Sequence, residues 1–260
     1  MTGSVSLAVD RLTAGYDDVP AVSNVSFRAE GNQIIGLVGP NGAGKTTLLK
    51  TIAGLMPAKS GCVAIDGRPT EEWPRNDLAR RVGYLSQERT VHWPVTVERL
   101  VSLGRLPHRG PWDGLSAADQ ESIDRALEFT DTLSLSQRAV TALSGGELAR
   151  VLLARVLAGD PKIILADEPV SGLDPGHALQ VLAGLRDLTA EGRLVVIVLH
   201  DLFMASRFCD RLILLNHGGV AADGAPSDVL TPHSLRDVYG VDAQAVVHNG
   251  ETALVPWGQA

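Results

Sequence analysis

Apolar residues alternate with polar ones over 4–12 and 22–29 and run unbroken over 33–38. The pattern predicts strands separated by turns. Residues 46–54 have helical spacing ending on Gly54, 62–66 read as a hairpin-like piece, and 82–86 read as another strand. From Pro94 to Asp160 the period changes: 95–104, 116–130 and 144–159 all carry apolar residues at helical spacing. The intervening 107–114, PHRGPWDG, is the expected exposed loop. Strand and helix then alternate: strand 162–166, helix 176–190, strand 193–199, helix 201–208, strand 211–215. Such alternation predicts an α/β fold with a parallel sheet covered on both faces. The strands on either side of the helical block must pair across it, which makes that block an insertion.

Composition narrows the function. The 260 residues are 45% hydrophobic and 20% charged, enough for a full core and too apolar for a disordered chain. The net charge of −7 and scattered basic residues disfavour a nucleic-acid partner. The tightest basic group, Arg75 with Arg80 and Arg81, reads as a solvated face. Cys62 and Cys209 form no CxxC pair and read as reduced, buried thiols. No basic segment followed by an apolar stretch opens the chain, so no secretory signal is expected, and the apolar runs are of strand length.

Gly39-Pro40-Asn41-Gly42-Ala43-Gly44-Lys45-Thr46 fits G-x-x-x-x-G-K-[ST], with a strand before it and a helix after it. Glycines let successive N–H groups point inward at a helix N-terminus and form a concave anion site. Lys45, one of only four lysines (with Lys50, Lys59 and Lys162), brings a compact charge to the β- and γ-phosphates. The Thr46 hydroxyl is placed to ligate Mg²⁺. The second half of this chemistry is an apolar strand that ends on Asp167 and Glu168. Asp167 is suited to hold Mg²⁺, and Glu168, pointing the other way by strand alternation, to orient or deprotonate water. Leu143-Ser144-Gly145-Gly146-Glu147 opens a further helix. Ser144 and Glu147 have capping-box spacing, while two glycines in a first turn suggest close approach of a ligand or backbone.

Together these motifs closely resemble the ATP-binding cassette (ABC) ATPases, over nearly the whole chain and in family order. The resemblance implies a P-loop NTPase fold with a mostly parallel sheet, an antiparallel β subdomain and an inserted α-helical subdomain. The chain would then be one domain, 1–260, with 1–93 and 161–260 as core and 94–160 as the helical signature part. By the same resemblance Tyr16 looks like the A-loop aromatic on adenine, and Gly39 to Thr46, with Thr47, like the Walker A motif. Gln87 resembles the Q-loop glutamine, a further Mg²⁺ contact beside Thr46 and Asp167, and Ser144, Gly145 and Gly146 the signature. Asp167 and Glu168 look like Walker B, Asp174 in SGLD like the D-loop, and His200 like the switch histidine. Lys45, Glu168 and His200 are then the expected catalytic groups, and ATP and Mg²⁺ the expected ligands. The sequence departs from the family pattern at Glu147, where glutamine is commoner, and at Leu148-Ala149-Arg150, which lack a polar pair.

The resemblance implies a homodimer in which each ATP lies between Walker A of one chain and the signature of the other. The segments WPVTVE at 93–98 and LGRLPH at 103–108, the run RVLLARVLA, and the tail pieces DGAP, VLTP and VYGV are similar to importers of iron–siderophore, haem and cobalamin. The expected partners are transmembrane permease subunits and a periplasmic or lipid-anchored substrate-binding protein. The expected place is the cytoplasmic face of the cell membrane. Importers of molybdate or of zinc and manganese, a soluble cassette that scaffolds iron–sulfur clusters, and an exporter remain as alternatives.

Overall fold

Alternation shapes the N-terminal part. The computed structural model describes residues 4–17, 19–110, 112–248 and 251–259. Strands β1 (Ser6–Ala14) and β2 (Val22–Glu30) bury Leu7, Val9, Leu12, Val25 and Phe27 on one face. β3 (Gln33–Val38), apolar on both sides, is buried on both. It runs into the glycine-rich loop and α1 (Lys45–Ile52). Then come β4 (Ser60–Ile65), β5 (Arg68–Pro69), α2 (Arg75–Arg81) and β6 (Val82–Leu85). The middle of the chain is helical: α3 (Val97–Ser102), α4 (Ala117–Phe129) and α5 (Gly145–Ala158). Alternation resumes with β7 (Ile163–Asp167), α6 (Pro175–Ala190), β8 (Leu194–Val198), α7 (Leu202–Phe208), β9 (Arg211–Asn216) and β10 (Gly219–Gly224). The chain closes with α8 (Pro226–Val229), α9 (Pro232–Tyr239) and a hairpin of β11 (Val241–His248) and β12 (Glu251–Gln259).

The central sheet has the order β10-β9-β3-β8-β7-β6. All its pairings are parallel except β10 with β9. β6 pairs with β7 from Val82↔Ile163 to Leu85↔Ala166, across the whole helical block. A second, antiparallel sheet has the order β2-β1-β4-β5. The two faces of the central sheet hold two cores. Ile34, Ile164, Ala166, Val195 and Ile197 pack with α5, α6 and α7, while Ile35, Leu37, Ile163, Leu165 and Val196 pack with α1 and the antiparallel sheet. Each strand is therefore sandwiched, which is why it reads as an apolar run rather than an alternation.

The structure differs from the sequence expectations at several places. The helix expected over 95–104 is only α3, because Thr96 caps it from an extended conformation and Val95 pairs with Val140 (Val140 N–H to Val95 C=O, 2.9 Å). Beyond it the chain tightens into a 3₁₀ helix through His108. There Gly104 lies so near α5 that a Cβ would sit 2.1 Å from the Arg155 carbonyl oxygen. Within 107–114, Trp112 is 97% exposed, as a loop tip would be, and Pro111 lies outside the described residues. Cys62 is exposed, not buried, because it faces outward on β4 just before inward Val63; Cys209 is buried. The Arg75 to Arg81 stretch is helix α2, and two of its arginines have partners within the chain. Arg81 pairs with Asp66 and Arg80 donates to the Pro107 carbonyl at 2.6 Å. Among the described residues no helix is long and apolar enough to cross a membrane.

The helical block is pinned by a buried ion pair. Arg105 Nε donates to Asp119 at 2.8 Å and Arg105 Nη1 to the Ala158 carbonyl at 2.9 Å, joining the 3₁₀ segment, α4 and α5. The Ser116 hydroxyl bonds, followed by the Arg105 guanidinium, hold the Asp119 carboxyl well below its usual 3.8. A depressed carboxyl stabilises the fold above the ordinary carboxylate range, and that stability is lost as the pH falls through the folded value. Arg105→Ala should cost about 3 kcal/mol, because it leaves a buried carboxylate without its cation. It should also flatten the acid limb of stability. Urea unfolding at pH 7 and then from pH 5 down to 2 tests this; a loss under about 1 kcal/mol at pH 7 would refute it.

Candidate active site

Parallel pairing sends the C-terminal ends of β3, β6, β7 and β8 out of one edge of the sheet. Leu37 and Asp167 both pair with Val198, and Leu85 pairs with Ala166, so the loops that follow leave side by side. A ligand cleft belongs at such an edge. The cavity there measures about 640 Å³ and is lined by Ala21, by Asn41 to Thr47, and by Gln87, Glu168 and His200. Residues more than a hundred positions apart thus meet in one place.

The glycine loop is built as its motif requires. Gly39, Gly42 and Gly44 have φ of 143°, 79° and 97°. At Gly39 a Cβ would stand 2.2 Å from the Leu215 carbonyl oxygen and at Gly44 2.4 Å from that of Ala21, so neither tolerates a side chain. Lys45 is buried and its Nζ donates to the carbonyls of Gly39 (2.7 Å) and Pro40 (2.9 Å). Burial lowers its pKa, and the carboxylates of Glu168 and Asp167 oppose that shift.

Asp167 is 1% exposed, and among the described residues neither carboxylate oxygen has a hydrogen-bond partner of normal geometry. Burial raises its pKa, with the Thr46 hydroxyl close enough to work the other way and Glu168 adding to the rise. A buried carboxylate with unused oxygens, facing a threonine hydroxyl, fits a hard divalent cation. Glu168 lies just past the end of β7 and not within it. Its direction comes from a left-handed backbone, φ 52°, rather than from strand alternation. Glu168 Oε1 accepts from Gln87 Nε2 at 2.8 Å and contacts His200 Nε2 at 2.5 Å. With the His200 proton on Nε2, both donors converge on one oxygen and leave Oε2 for another task.

Other candidates stand apart from the cavity. Tyr16 is 56% exposed, with its hydroxyl 3.4 Å from Lys50 Nζ. Ser144, Gly145 and Gly146 open α5 and do not line the cavity. A Cβ on Gly145 would have nothing within 4 Å. The capping box is complete: Ser144 N–H donates to Glu147 at 2.7 Å, and Glu147 N–H to the Ser144 hydroxyl at 3.3 Å. The Ser144 amide, with Arg138 behind it, holds the Glu147 carboxyl low, and Glu147 closes the helix start as part of the capping box. Asp174 caps α6, accepting from the His177 N–H at 3.1 Å. Ala21 carried no sequence signal; it reaches the cavity because β2 begins beside the glycine loop, with the Ala21 carbonyl against Gly44.

A family model described as ABC transporter matches residues 22–171. Over 259 residues the chain is 38% identical to the hemin import ATP-binding protein HmuV of Rhodococcus jostii (strain RHA1), covering 98% of this chain and 87% of that one. The chain belongs to the ABC transporter family. Within the ABC transporter family it is an ATPase. The chain is also 35% identical over 263 residues to the ferric enterobactin transport ATP-binding protein FepC of Escherichia coli (strain K12), covering 100% of this chain and 97% of that one. A solved inward-facing metal-chelate type ABC transporter superposes with a TM-score of 0.83 at 25% identity, covering 97% of this chain and 98% of that one.

In this ABC ATPase the unsatisfied Asp167 sets a cost on the fold. A carboxyl with a raised pKa binds protons more readily folded than unfolded, so its charged form destabilises the fold at neutral pH. Asp167→Asn should stabilise the chain in urea at pH 7 without nucleotide, by about 1–2 kcal/mol. It should also shrink the extra stability that Mg²⁺-ATP confers. A variant less stable than wild type would contradict this.

Proposed function

We propose that this chain is the ATP-hydrolysing subunit of an importer of metal chelates of the iron–siderophore, haem or cobalamin class. The near full-length likeness to a hemin import and a ferric enterobactin transport ATP-binding protein supports that cargo. The convergence of Gln87 and His200 on one oxygen of Glu168, in the cavity that ends at the glycine loop, carries the hydrolytic reading.

Each residue then has a role. Loop amides and Lys45 hold the β- and γ-phosphates, with Lys45 exchanging its two loop carbonyls for phosphate oxygens. Thr46 and Asp167, with Gln87 at the rim, would hold Mg²⁺, whose charge would offset that of the phosphates. Glu168 Oε2 takes the proton of the attacking water while Gln87 and His200 hold the other oxygen. Tyr16 stacks on the adenine; its exposure leaves the ring face free for a base.

The signature completes the site from a second copy of the chain. The open space over Gly145 supports a partner there, since the chain's own phosphate cavity does not include this turn. Ser144, Gly145 and Gly146 of one chain then meet the γ-phosphate bound by the other, and Asp174 sits nearby. ATP closes this dimer and hydrolysis opens it. Permease subunits receive the motion at the inner face of the membrane, and a substrate-binding protein delivers the chelate.

Glu168→Gln should lower turnover by roughly 10²–10⁴ while ATP still binds; near-normal turnover would remove Glu168 as the base. The same variant, tagged and recovered from detergent-solubilised native cells, should bring down a polytopic membrane protein. Recovery of soluble partners alone, with membrane proteins demonstrably in solution, would replace transport by a soluble assembly role.

A further inference from the structure

Gln87 and His200 hold the Glu168 side chain, but neither holds the backbone that carries it. That backbone is left-handed, φ 52°, a region that a residue with a Cβ keeps only when its surroundings impose it. The turn is closed by Ser171 N–H donating to the Glu168 carbonyl at 3.2 Å. Arg89 grips both of its ends. Arg89 Nη2 donates to the same Glu168 carbonyl at 2.7 Å, and Nη1 donates to the Ser171 carbonyl. Gly172 then leaves the turn at φ 72°, and a Cβ there would lie 3.7 Å from Arg89 Nη1. The guanidinium is half-buried, and only its planar fork presents parallel donors to two carbonyls at once.

We propose that Arg89 is a positioning residue for ATP hydrolysis: its guanidinium clamps the turn from Glu168 to Ser171 and so keeps the Glu168 carboxylate where it reaches water at the γ-phosphate. This rests on reading Glu168 as the base. Arg89 follows Gln87 by two residues in the segment that leaves β6. One short stretch of chain therefore fixes the glutamate twice, at its side chain and at its backbone. Arg89 also ties Glu168 to the SGLD loop through Ser171, so a shift of the segment after β6 moves the base and that loop together.

The test uses the purified full-length chain in steady-state ATPase assays with Mg²⁺-ATP. Arg89→Ala should lower kcat about ten- to a hundredfold, the scale of losing one or two charge-assisted hydrogen bonds from a positioned group. KM and the calorimetric Kd for ATP should stay within about twofold, because the phosphate loop is untouched. Arg89→Lys should recover part of the loss, since one ammonium replaces the charge but not the fork. A role that acts through the glutamate should disappear when the glutamate is gone. Arg89→Ala added to Glu168→Gln should therefore change the residual turnover by less than about twofold.

Wild-type kcat in Arg89→Ala, a full further loss in the double variant, or a kcat loss matched by an equal loss of ATP affinity would each overturn the proposal. If Arg89→Ala melts below the assay temperature, Arg89→Lys decides, and a wild-type kcat there overturns it. Normal turnover in Glu168→Gln would refute the base itself. A crippled Glu168→Gln beside a normal Arg89→Ala would refute only the clamp.

Discussion

Parallel strand pairing is the constraint on which the site depends. Because β3, β6, β7 and β8 all run the same way, their outgoing loops share one edge, and the register Leu37↔Val198↔Asp167 sets them level. Every functional group in the cavity except Ala21 is borne on one of those loops or on the helix that the first begins. The sheet can be parallel because helices cover one face and the antiparallel sheet with α1 covers the other, which buries the inner strands β3, β7 and β8 on both faces.

Around that edge the chain leaves several polar groups underused. Asp167 is buried without a partner, Lys45 turns back onto its own loop, and Glu168 stands in a left-handed conformation under the grip of three other residues. The partnerless Asp167 and the left-handed Glu168 each weaken the fold taken alone, and all three features suit a phosphate and its cation. Most of these groups already stand around the cavity, and only Lys45 would have to release its loop carbonyls to reach a phosphate.

The helical block serves a different end. Its capping box at Ser144 is an ordinary helix start, and Glu147 is fully used in it. What distinguishes this N-terminus is the open space over Gly145, away from the chain's own cavity. The block is tied down by Arg105 and Asp119, so it can present that surface as a unit.

Local chemistry made much of this protein legible in its sequence. The glycine loop, the apolar strand ending in Asp167 and Glu168, and the capping signature each depend on neighbours within a few residues, and the strand–helix alternation carries the fold class. Gln87 and His200, named by resemblance, both contact Glu168 in the cavity, a meeting that neither the resemblance nor the spacing stated. Features set by distant contacts were not legible. The 3₁₀ turn after α3 exists because Gly104 packs on Arg155, and the outward face of Cys62 follows from the register of β4 on β1. Ala21 and Arg89 entered the site without any motif. Glu168 owes its aim to a backbone turn that Arg89 holds from 79 residues away. Side-chain type and spacing along the chain determine which chemistry is available. Only the packed sheet decides which groups come within hydrogen-bond distance, because those contacts depend on the register of strands far apart in sequence.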